Sequence, residues 1–256
     1  MKILSYNVNG IRSAAGKGLF DFLSNENPDV VLFQEIKADE SQISPSWYEP
    51  LGYQALWHSA QKKGYSGVGV LFKGNATGFQ IGCGLEELDA EGRFLKVDFD
   101  KFSVVSLYLP SGTSGDERQA FKMKTLEKFA NWIEEVRKDF PFLVLGGDFN
   151  ICREAIDIHD PIRNKDVSGF KPEERDWFAR FIELGWVDSF RHFYPDAAHR
   201  YSWWTFRAGA RANNKGWRID YLMVTNELQK NLVSADILND IVHSDHCPVK
   251  LELKFE

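Results

Sequence analysis

A chain of 256 residues with 43% hydrophobic and 14% aromatic residues can fill one large core, so a single domain over residues 1–256 is expected. A net charge of −6 excludes general adhesion to polyanions, because affinity for phosphates comes from Lys and Arg, and any nucleic-acid contact must be local. No apolar run reaches the roughly 20 residues of a membrane span, no export signal precedes the first strand-like run, and Cys83, Cys152 and Cys247 show no CxxC spacing. These features lead us to expect a soluble cytoplasmic protein with reduced thiols, nucleoid-associated if the source is bacterial.

Taken in chain order, Ile3–Val8, Val30–Gln34, Gly67–Phe72, Phe94–Phe99 and Val104–Leu109 read as strands. A helix follows over Asp116–Lys138, where Phe121, Leu126, Phe129, Ala130, Ile133 and Val136 mark one face, with Ser114 and Glu117 as a capping box. Phe142–Leu145 is a further strand, and Pro172–Leu184 a second helix with Pro in its first turn and Gly185 closing it. Trp217–Val224 and Val249–Phe255 complete the strands. The last alternates, Val249, Leu251, Leu253 and Phe255 against Lys250, Glu252 and Lys254, as in a half-exposed antiparallel strand. The helices interrupt the strands without a strict βαβ rhythm, and no repeat or linker divides the chain. The predicted fold class is α/β, a four-layer sandwich of two packed mixed β-sheets flanked by helices. Candidate basic patches lie at Lys62–Lys63, at Arg163 with Lys165, and at Arg207, Arg211, Lys215 and Arg218.

Polar residues recur at the ends of runs that should be buried. Asn7 and Asn9 follow the first strand, Glu35 the second, and Tyr108 lies near the end of VVSLYLP; Asp148 and Asn150 close LVLGGDFN, Asp220 lies inside WRIDYLMV, and Asp245 with His246 opens SDHCPVKLEL. Each has a bland reading of its own. Asn9–Gly10 is a turn dipeptide, Gly147–Asp148 a strand breaker, Ser244–Asp245 a local cap, and Tyr108 and Trp217 core aromatics. Together these require several coincidences, because four carboxylates near buried strands repel one another and lose hydration unless a cation or hydrogen-bond partners are present.

Carboxylate and amide oxygens without Cys or clustered His favour a hard cation, Mg²⁺ with Mn²⁺ as a substitute, held by one or two carboxylates plus substrate phosphate. Phosphodiester hydrolysis needs an oriented water, charge stabilisation on the non-bridging oxygens and help for the leaving oxygen. Asp148, the Asn7, Asn150, Tyr108 and His246 donors, and the metal suit those roles. A Ser nucleophile elbow, a P-loop and a GxGxxG loop are absent.

The segments SYNVNGIR, LFQEIK, GYSGVGVLFK, LYLPSG, GGDFNI, GWVDSFRH, GWRIDY and SDHCPV, in order over nearly the whole chain, resemble the motifs of the exonuclease III type of abasic-site endonuclease. GDFN and SDH are shared across the wider endonuclease/exonuclease/phosphatase superfamily, whereas GWRIDY with GYSGVG is narrower. The resemblance implies that Glu35 is the main metal ligand with Asn7 and Asp245 nearby, alongside Asp148 and Asn150. It implies that Asp148 orients the attacking water with Asn150, that Tyr108 and Asn7 hold the scissile phosphate, and that His246, oriented by Asp220, stabilises developing charge. Either Asp148 or His246 is the general base, with Asp148 preferred. Trp203, Trp217 and Ile219 match an apolar pocket for a flipped abasic sugar, while Lys37, Gly64, Tyr65, Arg93, Asn164, Gly169 and Arg207 match positions near the DNA. Some relatives carry Asp at the position of Asn9, and several carry Phe at that of Trp203, whose larger ring would narrow the pocket.

The implied function is metal-dependent cleavage 5′ of abasic sites in double-stranded DNA, with 3′→5′ exonuclease action and cleaning of blocked 3′ ends, by a monomer that does not bind membranes. Two alternatives share parts of this pattern. A superfamily phosphatase acting on lipid or inositol phosphates would keep the catalytic residues and differ in the substrate surface. A catalytically inactive DNA-binding module would lack at least one of Glu35, Asp148, Asp220, Asp245 and His246, all of which are present.

Overall fold

A computed structural model describes residues 1–255. Its strands are β1 (Lys2–Asn7), β2 (Val30–Gln34), β3 (Gln54–His58), β4 (Val68–Phe72), β5 (Gly78–Ile81), β6 (Phe94–Asp98), β7 (Ser103–Tyr108), β8 (Leu143–Asp148), β9 (Trp186–Asp188), β10 (Asp220–Thr225), β11 (Leu232–Ile237) and β12 (Val249–Leu253). They form two six-stranded sheets, ordered β11-β12-β1-β2-β4-β3 and β5-β6-β7-β8-β10-β9. β1 pairs with β2, and β7 with β8, in parallel; the other pairings are antiparallel. The predicted sandwich of two mixed sheets is the observed one.

Successive strand residues point to opposite faces, so each central strand feeds two apolar layers. Ile3, Leu32 and Val70 meet Val97, Val104, Val144 and Leu222 between the sheets. On one outer face, Leu4, Tyr6, Val31 and Phe33 pack beneath helices α1 (Ile11–Gly16) and α2 (Leu19–Glu26). After the short helix α3 (Glu86–Asp89), the long helix α4 (Asp116–Asp139) and α5 (Pro172–Glu183) cover the other outer face, where Val105, Leu107, Leu145 and Met223 meet Phe129, Ile133, Trp177 and Phe181. A last short helix is α6 (Ser189–Phe193). Burial on both faces is why the central strands read as continuous apolar runs.

β3, β5, β9 and β11, which the apolar pattern did not indicate, occupy the four edges of the two sheets. Edge strands bury less, and QALWH, GFQI, WVD and LVSADI carry correspondingly weak alternation.

Three local expectations are corrected. Helix α4 starts after Gly115 at φ 116°, with no side-chain cap, so Ser114 and Glu117 do not form a capping box. The regular strand expected from Trp217 begins only at Asp220; Trp217 makes isolated bridges to Ile158 and Trp203. The basic patch at Arg207–Arg218 is only half a surface, with Arg207 and Lys215 exposed. Arg218 is buried against Asp157 (Nε to Oδ1 2.7 Å) and Asp188 (2.8 Å), and Arg211 donates to the carbonyls of Asn239, Ile241, Ser244 and His246.

Register brings the site together. Asp148 stands opposite Tyr108 in the parallel β7/β8 pair and opposite Asp220 in the antiparallel β8/β10 pair, so the end of two strands and the start of a third share one row. In the facing sheet, Asn7 and Gln34 end β1 and β2 side by side, and β12 begins opposite Ser5 just after Asp245 and His246. Gly147 is required in this row: a Cβ there would lie 1.8 Å from the Leu107 carbonyl oxygen.

Candidate active site

A cleft of about 390 Å³ opens along this edge. Its polar side is lined by Asn9, Glu35, Lys37, Tyr108, Asp148, Asn150, Asp245 and His246, its apolar side by Val167, Trp203, Trp217 and Ile219. Asn9, Glu35, Lys37 and Asn150 all hold left-handed φ values, between 46° and 55°. Non-glycine residues adopt this region at a cost of order 1 kcal/mol each, tolerated where a fixed side-chain aim is needed.

Asp148 is buried on the cleft floor. Its Oδ1 accepts the Asn150 backbone N–H at 2.8 Å, and its Oδ2 accepts the Asn7 side-chain amide at 2.9 Å. Burial and the nearby Asp220 charge raise its carboxyl, while the His246 charge and the two hydrogen bonds pull it back, leaving it at about 7. Burial works against a charged His246, yet Asp220, bonded to Nδ1 at 2.8 Å, with Asp148 and Asp245 pushes the imidazole up to about 10. Ser202 donates to the same Asp220 oxygen at 2.6 Å. His246 Nε2 then stands 4.0 Å from Asp148 Oδ2, beyond hydrogen-bond distance.

Tyr108 is raised above the ordinary phenol value, by burial first and the Glu35 charge next, against the Arg93 guanidinium 4.3 Å from its ring. At neutral pH its hydroxyl is therefore a donor. Asp245 is held low despite burial, by the His246 charge and by hydrogen bonds from Asn9 (2.8 Å) and the Trp203 indole (3.0 Å).

Two groups of donors could meet a cation. Asp148, Asp220 and His246 bring ligand atoms within 4.8 Å of one another, and Asp220 Oδ1 is buried without a partner. However, the proton shared between His246 Nδ1 and Asp220 commits that edge of the group to holding the ring. Beside it, Glu35, Asn9 and Asp245 present hard oxygens. The Lys37 ammonium already sits on Glu35 Oε1 (2.9 Å) and Asn9 Oδ1 (2.5 Å), so a positive charge is accommodated there. The donor chemistry fits a hard divalent cation.

Of the residues singled out from the sequence, Asn7 and Asp220 lie behind the cleft lining. The Asn7 amide is used on Asp148 and on the Asn9 N–H. Tyr65 stands behind Tyr108, joined through Arg93, which donates to the Tyr65 hydroxyl (3.2 Å) and the Tyr108 carbonyl (2.9 Å) and is itself buried. Asn164 donates to the carbonyls of His159 and Asp160, bracing its own loop. Arg207 is exposed on the loop after Trp203 and does not line the cleft. Sequence reasoning missed Ser202, for which no local signal exists, and Lys122, for which one does: Gln119, Lys122, Leu126, Phe129 and Ile133 form one helical stripe and all are buried.

This edge-of-sandwich arrangement of a carboxylate, a carboxylate–imidazole pair and hard oxygen donors defines a metal-dependent phosphoesterase. The chain belongs to the endonuclease/exonuclease/phosphatase family, which residues 4–246 match. It is 41% identical to an exodeoxyribonuclease of Bacillus subtilis, over 98% of each chain. It is 36% identical to a DNA-(apurinic or apyrimidinic site) endonuclease of Dictyostelium discoideum, over 97% of this chain and 69% of that one. Among solved structures, an AP endonuclease from Archaeoglobus fulgidus superposes with a TM-score of 0.91 at 26% identity, over all of both chains. A 3′ phosphatase from Neisseria bound to a product DNA hairpin superposes at 0.92; at 24% identity, that likeness concerns the fold.

Proposed function

We propose that this chain is a DNA-repair phosphodiesterase that hydrolyses the bond immediately 5′ of abasic sites in duplex DNA. The same site would serve 3′→5′ exonucleolytic action and the cleaning of blocked 3′ ends, by a monomer using Mg²⁺, with Mn²⁺ as a substitute. One observation carries the reading: Asp148, the His246 imidazole held from behind by Asp220, and the Glu35 and Asp245 carboxylates share a single cleft with an apolar wall of Trp203, Trp217 and Ile219.

Asp148, fixed through both oxygens, orients the attacking water and accepts its proton. His246, charged and held by Asp220, presents Nε2 to a non-bridging phosphate oxygen, and the protonated Tyr108 donates to another. Glu35 with Asp245 and the neighbouring amide oxygens would hold a divalent cation such as Mg²⁺, which when bound would supply further neutralisation of phosphate charge. Trp203, Trp217 and Ile219 receive the extruded sugar. Such a site prefers an abasic nucleotide because unpaired, unstacked residues cost less to turn out of the helix. Lys37 at the rim, with the exposed Arg207, would face the DNA backbone, while Tyr65 and Asn164 act from behind by holding Arg93 and the 159–164 loop.

The test is a labelled duplex carrying one abasic analogue, incubated with Mg²⁺ or with chelator. The expected result is a nick immediately 5′ of the lesion that disappears with chelator. An intact duplex alongside turnover of an inositol phosphate would overturn the reading.

A further inference from the structure

Lys122 of α4 and Glu174 of α5 form an ion pair at 2.6 Å in which both side chains are 0% exposed. A buried pair of this kind adds little net stability over an apolar pair of the same shape, because desolvation offsets the attraction. What it does supply is aim. Lys122 Nζ donates to the Asn150 carbonyl at 2.8 Å, and Glu174 Oε2 accepts the Gly169 N–H at 2.6 Å and the Lys171 N–H at 2.9 Å. Its Oε1 also accepts from Gln119 and Ser168, so the carboxylate is saturated.

Both targets are parts of the cleft. Asn150 sits at φ 53° with its N–H on Asp148 and its carbonyl, in the next peptide, on Lys122, so holding that carbonyl fixes the backbone turn that presents the N–H to the carboxylate. Gly169 sits at φ 99° against Trp217, where a Cβ would lie 2.8 Å from the indole, and its carbonyl accepts the Cys152 N–H. We propose that Lys122 and Glu174 are positioning residues, which lock the Asp148–Asn150 turn and the Gly169–Trp217 wall into one unit from behind, without touching substrate. The inference rests on the reading of this cleft as a phosphodiesterase site.

The test compares the full chain with the double variant Lys122→Met/Glu174→Gln, which removes both charges and roughly keeps the volume. Three quantities are read: melting, amide hydrogen exchange over residues 148–153 and 166–171, and steady-state cleavage of an abasic duplex. The expected result is a cooperatively melting protein in which both segments exchange about tenfold faster or more while β1 and β2 are unchanged. Its kcat should fall roughly 10- to 100-fold with KM within about threefold. Unchanged exchange in both segments, or kcat within about threefold of the parent, would overturn the proposal. If the double variant does not fold, Glu174→Asp withdraws the carboxylate from Gly169 while keeping its charge opposite Lys122. Exchange over 166–171 must then rise, and its failure to do so overturns the proposal. Should the parent itself leave abasic DNA intact, the functional reading falls, while the exchange measurements still decide whether the pair holds the cleft.

Discussion

The Trp203 indole N–H donates to Asp245 Oδ2 at 3.0 Å, so a residue of the apolar wall also holds a carboxylate of the polar side. Trp203→Phe keeps a ring in the wall and deletes this donor. A hydrogen bond to a charged group contributes about 1.5–3 kcal/mol, but Asn9 and Ser244 still hold the other Asp245 oxygen. A rise of roughly three- to tenfold in the Mg²⁺ giving half-maximal activity is therefore expected. A rate titration against Mg²⁺ checks it, and an unchanged midpoint would show the bond to be idle.

Asp148→Asn should lower hydrolysis by about 10³-fold while leaving DNA affinity within a few fold, because shape is kept and the proton acceptor is lost. Gel-shift affinity and single-turnover cleavage on one preparation separate the two effects. Turnover within tenfold of the parent would remove Asp148 from this role.

The same carboxyl sets an acid limb. Asp148 acts ionised, so activity should fall as pH drops through about 7, and it should fall again as pH rises through about 10, where His246 loses its proton. His246→Asn removes the positive charge that lowers Asp148. Its acid limb should therefore move to higher pH while the alkaline limb disappears. A pH–kcat/KM profile unmoved by the substitution would assign both limbs to other groups.

Trp217→Ala tests the apolar wall. Losing a ring contact of about 1–3 kcal/mol should slow abasic cleavage by roughly 5- to 150-fold. Because the pocket widens, the preference over intact duplex should shrink as well. A purely structural Trp217 predicts the opposite pattern, a lower Tm with the preference preserved among folded molecules.

Asp157 is a stability residue. It binds Arg218 and Arg191 in the core, and although burial opposes its charge, the two guanidiniums hold its carboxyl below the usual range. A depressed folded value means that its contribution is complete above the ordinary carboxylate pKa, and is lost only as pH falls through the lowered value. Asp157→Ala removes the shared carboxylate from two guanidiniums, leaving Arg218 with Asp188 and Arg191 with the carbonyls of Tyr194, Pro195 and Ala197. The expected cost is about 3–5 kcal/mol, roughly 6–20 °C in Tm for a domain of this size, read by thermal melting at pH 7.

The eight interior strands and both long helices were legible in the sequence, because a strand buried on both faces must be apolar along its length, the half-exposed β12 alternates, and an amphipathic helix must repeat at 3.6 residues. The four edge strands were not, since one side meets water and β-pairing there asks little of the side chains. At the site, residue chemistry was readable: carboxylates, amides and a histidine at strand ends imply a hard cation and phosphate. Their partners were not. Asn7 meets Asp148 across 141 residues and Asn9 meets Asp245 across 236. Arg218 reads locally as part of a basic surface patch, yet it turns inward to Asp157 and Asp188. By itself the sequence determined which chemistries were available and which segments had to be buried, because both depend on side-chain type and local period. Only the tertiary structure decided which charges face each other, because strand register and sheet packing set those distances and no local pattern encodes them.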